Sequence, residues 1–214
     1  MKINSFSHRG LILMTGLALF FSSCGLFEQV GQMATLAKCD FRLKSVQQLT
    51  LAGVNIQEIK SISDLGLIDA GIITAALAGG QLPLNFTLNI EAKNPNDQLA
   101  AMNRLDWILF IDDIEMLQGV MSEKIQIPGN GGVSVIPLKM NMDLKKVLSG
   151  KSAETIINFG FNLAGLGGEP TRITVKAKPT IMVGSREIVY PGYISITTRF
   201  GNEPDKKSGN IKLN

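Results

Sequence analysis

The chain has 214 residues, 45% hydrophobic and 18% charged, with 22 Gly and 8 Pro, a globular composition that excludes disordered, collagen-like and coiled-coil chains. Its one histidine, His8, precedes Cys24, so chemistry needing an imidazole is excluded from the rest of the chain. Lys2 and Arg9 are the only charges before Cys24; without them the net charge falls from +3 to +1, which leaves no electrostatic basis for nucleic-acid binding.

Residues 1–23 have the order of a secretory signal peptide: a basic start at Lys2 and Arg9, an uncharged and mostly apolar run from Gly10 to Phe21, then Ser22 and Ser23. As helix that run reaches only about 18 Å, too short to cross a bilayer. With Cys24 the segment resembles a bacterial lipoprotein signal, which is cut before a Cys that takes a diacylglycerol; Phe21 stands where such signals usually carry Leu. The resemblance implies lipidation of Cys24, with two or three acyl chains, enough for stable anchoring. It also implies a periplasm-facing protein of the bacterial cell envelope, at the outer membrane because Gly25 and not Asp follows the Cys. Residues 24–40 then read as the lipidated Cys and its tether. Cys39, the one other thiol, has no disulfide partner once Cys24 is acylated and no His base, and is expected to be buried or idle.

Residues 41–200 are expected to form one domain with a single core. Phe41 to Ile59 is extended. Ser63 to Ala78 has helical spacing, with Ser63 or Asp64 as N-cap and Gly79-Gly80 as the stop. Pro83 introduces a strand in which Leu84, Phe86, Leu88, Ile90 and Ala92 alternate with polar residues, the pattern of an antiparallel strand wet on one face. Asn94-Pro95-Asn96-Asp97 ends it in a turn. Leu105 to Ile111 is a strand around Trp107, Asp112-Asp113 a turn, and Ile114 to Gln118 a strand broken by Gly119. Lys124 to Ile127 is short, and Pro128-Gly129-Asn130-Gly131-Gly132 is a turn before the strand Val133 to Leu144. Lys145 to Leu148 and Ala153 to Leu163 are helical, the latter ending at Gly165-Leu166-Gly167-Gly168. Strands at Thr171 to Lys178, Thr180 to Val183, Glu187 to Tyr190 and Tyr193 to Phe200 close the sheet, and residues 201–214 are a polar tail. Seven to nine short strands with few helices predict a mainly β fold, a sandwich or an open barrel.

Three of these pieces together, Asn94-Pro95-Asn96 after an alternating strand, the segment from Leu105 to Asp113, and Ile127-Pro128-Gly129-Asn130-Gly131-Gly132, resemble the water-stress and hypersensitive-response domain of the type 2 late embryogenesis abundant proteins. The resemblance covers residues 41–145 and reaches more loosely to Phe200; Asp112-Asp113 departs from it, standing where Gly is expected. It implies a two-sheet antiparallel β-sandwich, immunoglobulin/fibronectin III-like, with one or two accessory helices. It makes Asn94, Pro95 and Asn96 the structural turn of the motif and brings no catalytic residues, metal or cofactor. The implied role is protection during desiccation or other stress.

Other chemistry is weakly represented. Gly150-Lys151-Ser152 ends like a phosphate-binding loop, but the required earlier glycine is Lys145. Asp106, Asp112, Asp113 and Glu115 form the one dense acidic group, and adjacent turn carboxylates are expected to be solvated, not convergent. Trp107 and Phe110, three apart on a strand, face opposite sides, Trp107 toward the core; Met140 and Met142 fill core. The leading expectation is a non-enzymatic, membrane-anchored domain acting on another envelope protein or lipid. A carrier of an apolar ligand is the second reading, and a hydrolase the third. A carrier requires a continuous apolar cavity of about 300 Å³ or more.

Overall fold

A computed structural model describes residues 34–166, 171–183 and 185–200. The leader, Cys24, most of the tether, Gly167-Gly168 and the polar tail therefore lie outside the described residues. After a helical turn at 34–37, β1 (Asp40–Leu51) and β2 (Val54–Asn55) form a hairpin whose two loop residues, Ala52 and Gly53, both have positive φ, 51° and 84°. The extended segment expected from Phe41 to Ile59 is thus folded back on itself. A 3₁₀ turn at Ile62–Asp64 precedes α1 (Leu67–Ala78). The helix starts later than its spacing suggested, from Gly66 without a side-chain cap, because Asp64 is engaged by the Ser61 N–H within the 3₁₀ turn (3.0 Å).

Then follow β3 (Pro83–Asn94), β4 (Ala100–Met102), β5 (Arg104–Ile111), β6 (Ile114–Met121), β7 (Ile125–Ile127) and β8 (Gly132–Asp143). Two helices come next, α2 (Leu144–Val147) and α3 (Ala153–Leu163), and β9 (Thr171–Val183), β10 (Arg186–Val189) and β11 (Ile194–Phe200) complete the described chain. One sheet has the order β2-β1-β3-β8; the other has β10-β9-β5-β6, with β11 also on β9, and β4 pairs with β7. Every ladder is antiparallel. The two sheets are not closed into a barrel, and the fold is the expected β-sandwich.

On β5 and β8 the alternation seen in the sequence is the alternation of burial. On β3 the expected wet face is covered as well: Thr87, Asn89 and Glu91 are buried like the apolar residues between them, because side chains of β1 lie over them. Leu84, Phe86, Leu88, Ile90 and Ala92 of β3 and Ile136, Leu138, Met140 and Met142 of β8 are buried against Leu105, Trp107, Leu109 and Ile111 of β5 and Ile173, Val175 and Ala177 of β9. Sandwich packing of this kind interdigitates two inner faces while the outer positions stay polar.

Two expectations are corrected by packing. β9 runs unbroken through Pro179, although two strands were expected. The carbonyl of Pro179 accepts from the Tyr190 N–H (2.9 Å), so its ring nitrogen points to the same side, at the junction where β11 ends at Ala177 and β10 begins at Thr180. No ladder hydrogen bond is needed there. Gly119 does not break β6; it sits opposite Trp107, and a Cβ on it would lie 2.3 Å from the indole Cζ2. The glycine makes room for the ring. Gly119→Ala is expected to lower the unfolding free energy by about 1–3 kcal/mol, read as a lower urea midpoint with unchanged slope.

Candidate functional site

Two of the three segments that carry the resemblance, Asn94-Pro95-Asn96 and Ile127 to Gly132, meet at one end of the sandwich. β3 ends at Asn94, whose side chain is fully buried. Its Nδ2 donates to the carbonyls of Gln98 (2.8 Å) and Ile127 (3.0 Å). Its Oδ1 accepts from the Asn96 backbone N–H (3.1 Å) and the Asn96 amide (2.8 Å). Asn96 also donates to the Thr35 carbonyl (3.2 Å), which ties down the segment leading into β1. Pro95 lies between the two asparagines with no N–H to satisfy.

The loop after β7 packs directly on this turn. The Asn130 N–H donates to the Asn96 carbonyl (2.6 Å) and the Gly131 N–H to the Asn94 carbonyl (2.7 Å). A Cβ on Gly129 would lie 2.4 Å from the Asp97 carbonyl oxygen, so only glycine permits this backbone approach. Asn94, Pro95 and Asn96 therefore form a polar knot that locks β3, β7, β8 and the N-terminal segment together.

The carboxylates singled out in the sequence do not converge on one another. Asp106 is bound by Arg104 (2.7 Å). Asp112 and Asp113, with φ of 47° and 65°, make a two-residue hairpin turn, and Arg172 holds it in place of the glycine that such a turn favours. Asp112 Oδ1 accepts the Arg172 N–H (2.9 Å), and the Arg172 guanidinium pairs with Asp113. Among the described residues, no three His, Cys, Asp or Glu side chains are placed to hold a metal ion. Ser152 of the Gly150-Lys151-Ser152 segment is the N-cap of α3, its hydroxyl accepting from the Thr155 N–H (3.2 Å).

Trp107 is buried in the core as expected, and Phe110 lies outside with Lys176 over its ring (4.7 Å). Cys39 is buried beside Phe41, with its thiol against the Thr35 carbonyl (3.4 Å). Burial, reinforced by the charge of Asp40, pushes the Cys39 pKa up to about 11, so the thiol is protonated and unreactive at neutral pH.

Sequence reading missed the outer face of the β1/β3/β8 sheet. Asn85 donates to Thr50 (3.3 Å), Thr87 to Gln48 (2.9 Å) and Asn89 to Ser45 (3.2 Å), forming a ladder of amides and hydroxyls. Glu91 continues it, bound by Arg42 (2.6 Å) and Lys44 (3.2 Å). Hydrogen bonding to these two cations holds the Glu91 carboxyl below the usual carboxylate range. The β1 ladder slips between Gln47 and Thr50, where Gln48 takes φ 56°, and the side chain of Gln48 reaches Thr87, whose register partner is Gln47. Gln48, Asn85, Thr87, Lys139 and Asn141 border an open depression of about 350 Å³. Between the sheets, by contrast, the gap lined by Phe41, Ile90, Leu105, Ile136, Ala177 and Ile196 measures only about 10 Å³.

No protein-family model matches the chain, and no curated protein matches it. Among solved structures, a protein from Archaeoglobus fulgidus is 12% identical, with 57% of this chain and 87% of that chain covered and a TM-score of 0.34. A protein described as late embryogenesis abundant, At2g46140.1, is 12% identical over 97% of this chain and 94% of that chain, with a TM-score of 0.32. AT1g01470 from Arabidopsis thaliana is 10% identical over 78% and 81%, with a TM-score of 0.33. These likenesses are distant.

Two outcomes follow from the polar contacts. Asn94→Ala removes the side chain that serves two carbonyls and the Asn96 N–H from a buried position, and is expected to cost about 1–3 kcal/mol in urea denaturation. Asn94→Asp, which sets a carboxylate oxygen against those carbonyls, costs at least as much. For Glu91, a lowered carboxyl pKa adds stability that is present at neutral pH and is lost as pH falls through the folded-state pKa. Glu91→Gln is therefore expected to lower the urea midpoint at pH 7 and to flatten its decline below about pH 4.5.

Proposed function

We propose that the chain is a bacterial envelope lipoprotein, anchored through acylated Cys24 and facing the periplasm at the outer membrane. Its late-embryogenesis-type sandwich is a non-enzymatic module that acts in stress or desiccation protection by contact with another envelope component. The anchor rests on the order of residues 1–24, and the stress role rests on the resemblance carried by Asn94-Pro95-Asn96 and Ile127 to Gly132.

The observation that favours an interaction module over a carrier is the small volume of the gap described between the sheets. A gap of about 10 Å³ between the sheets has room for about one water, whereas a pocket for an apolar ligand needs roughly 300 Å³ or more. The open depression on the amide and hydroxyl ladder suits a hydrophilic partner met at the surface.

The test is metabolic labelling with palmitate, membrane fractionation and survival of drying in a deletion strain complemented with wild type or Cys24→Ser. The wild type is expected to take up label, fractionate with the outer membrane and restore survival; Cys24→Ser should do none of these. An unlabelled wild-type protein would overturn the anchor, and unchanged survival of the deletion strain would overturn the stress role.

A further inference from the structure

α1 is unusual for a surface helix because it is apolar nearly all round: Asp69 and Thr74 are its only polar residues among twelve. Ile73 is buried in the core, and Ala76 and Leu77 lean on it. The opposite side, Leu67, Ile68, Gly71, Ile72 and Ala75, is exposed, with Leu67 95%, Ile68 79% and Ile72 44% accessible. Ile68, Gly71, Ile72 and Ala75 follow helical spacing, so they form one continuous apolar stripe. Thr74, also exposed, turns its hydroxyl back to the Ala70 carbonyl (2.8 Å), so it presents its methyl and hides its polar atom. A helix of this composition normally lies in a core or in a membrane.

We propose that this stripe of α1 lies in the acyl boundary of a lipid bilayer, as a second membrane contact beside the lipid on Cys24. The proposal rests on the anchored-lipoprotein reading. Ten peptide steps separate Cys24 from Ala34, a reach of at most about 36 Å. The fold begins at the Asn96 end of β3, through the Thr35 contact, and α1 hands the chain to the Pro83 end. The eleven steps from Pro83 to Asn94 along β3 separate those ends by about 36 Å.

A domain held so close by its lipid therefore reaches the bilayer with α1 when it lies along the surface, where a monotopic helix sinks its apolar side about 5–10 Å. A second copy is the weaker occupant: the stripe has five residues, against about 20–30 a side in a stable interface.

The test uses the acylated full protein in vesicles of phosphatidylethanolamine and phosphatidylglycerol at a high lipid ratio. Ile68→Cys carries an environment-sensitive fluorophore, and Gln118→Cys on β6 is the solvent control. Cys24 is blocked by its lipid and Cys39 is buried, so the label is specific. The label at 68 is expected to shift to the blue and to be quenched at least twofold by brominated acyl chains, and the label at 118 to do neither.

A shift that persists in nanodiscs holding one protein copy supports the bilayer; one that appears only at high protein density assigns the stripe to a second copy and overturns the proposal. Intact mass reports the anchor separately. An acylated protein with residue 68 in water overturns the helix contact and leaves the anchor standing, whereas absence of acyl mass overturns both.

Discussion

The inner faces of the two sheets must leave water together, and the rest of the molecule is arranged around that requirement. Neither face is stable alone: Leu84 to Ala92 on β3 and Ile136 to Met142 on β8 need Leu105 to Ile111 on β5 and Ile173 to Ala177 on β9 to cover them. Because side chains alternate along a strand, a slip of one residue in any ladder would turn an apolar row outward. The unbroken register of β3 on β8, from Pro83–Asp143 to Asn94–Gly132, follows from this. So does the room that Gly119 leaves for Trp107, where the largest side chain of the core meets the smallest across one pair of strands.

A sandwich held by its faces still has two open ends, and this chain closes them by different means. At one end the buried amide of Asn94 satisfies two carbonyls and an N–H, and with the Asn96 amide it joins the turn, the end of β7 and the segment at Thr35. At the other, Asp143 accepts from the N–H groups of both Leu82 (2.9 Å) and Lys145 (3.0 Å), which fixes α2 to the start of β3. Lys145 then donates to the Leu77 carbonyl at the last turn of α1 (2.9 Å). α1 is thus held by its C-terminal half, through Ile73 and Leu77, while Leu67 and Ile68 at its start are left to the surroundings.

Carboxylates that stand on the outer faces of the two sheets are paired with cations beside them. Glu91 answers Arg42 and Lys44, Asp106 answers Arg104, and Asp113 answers Arg172.

The sequence alone determined the strand periodicity, and with it a mainly β fold, because apolar residues stand at every second position in residues 84–92, 105–111 and 136–142. That the sheets form an open sandwich and not a barrel was decided by their packing. It also marked Asn94-Pro95-Asn96 as a turn and placed Trp107 inward. Its local rules failed where a distant partner outweighed them. Gly119 and Pro179 read as strand breakers until Trp107 and the gap between β10 and β11 were brought to them. The Asp112-Asp113 turn lacks glycine because Arg172, sixty positions from Asp112, holds it. The ladder on the outer face could not be read from the chain, since each of its pairs joins residues that lie far apart in sequence. Only tertiary structure decided which side of α1 met the core, because a helix apolar on every side carries no moment to choose one.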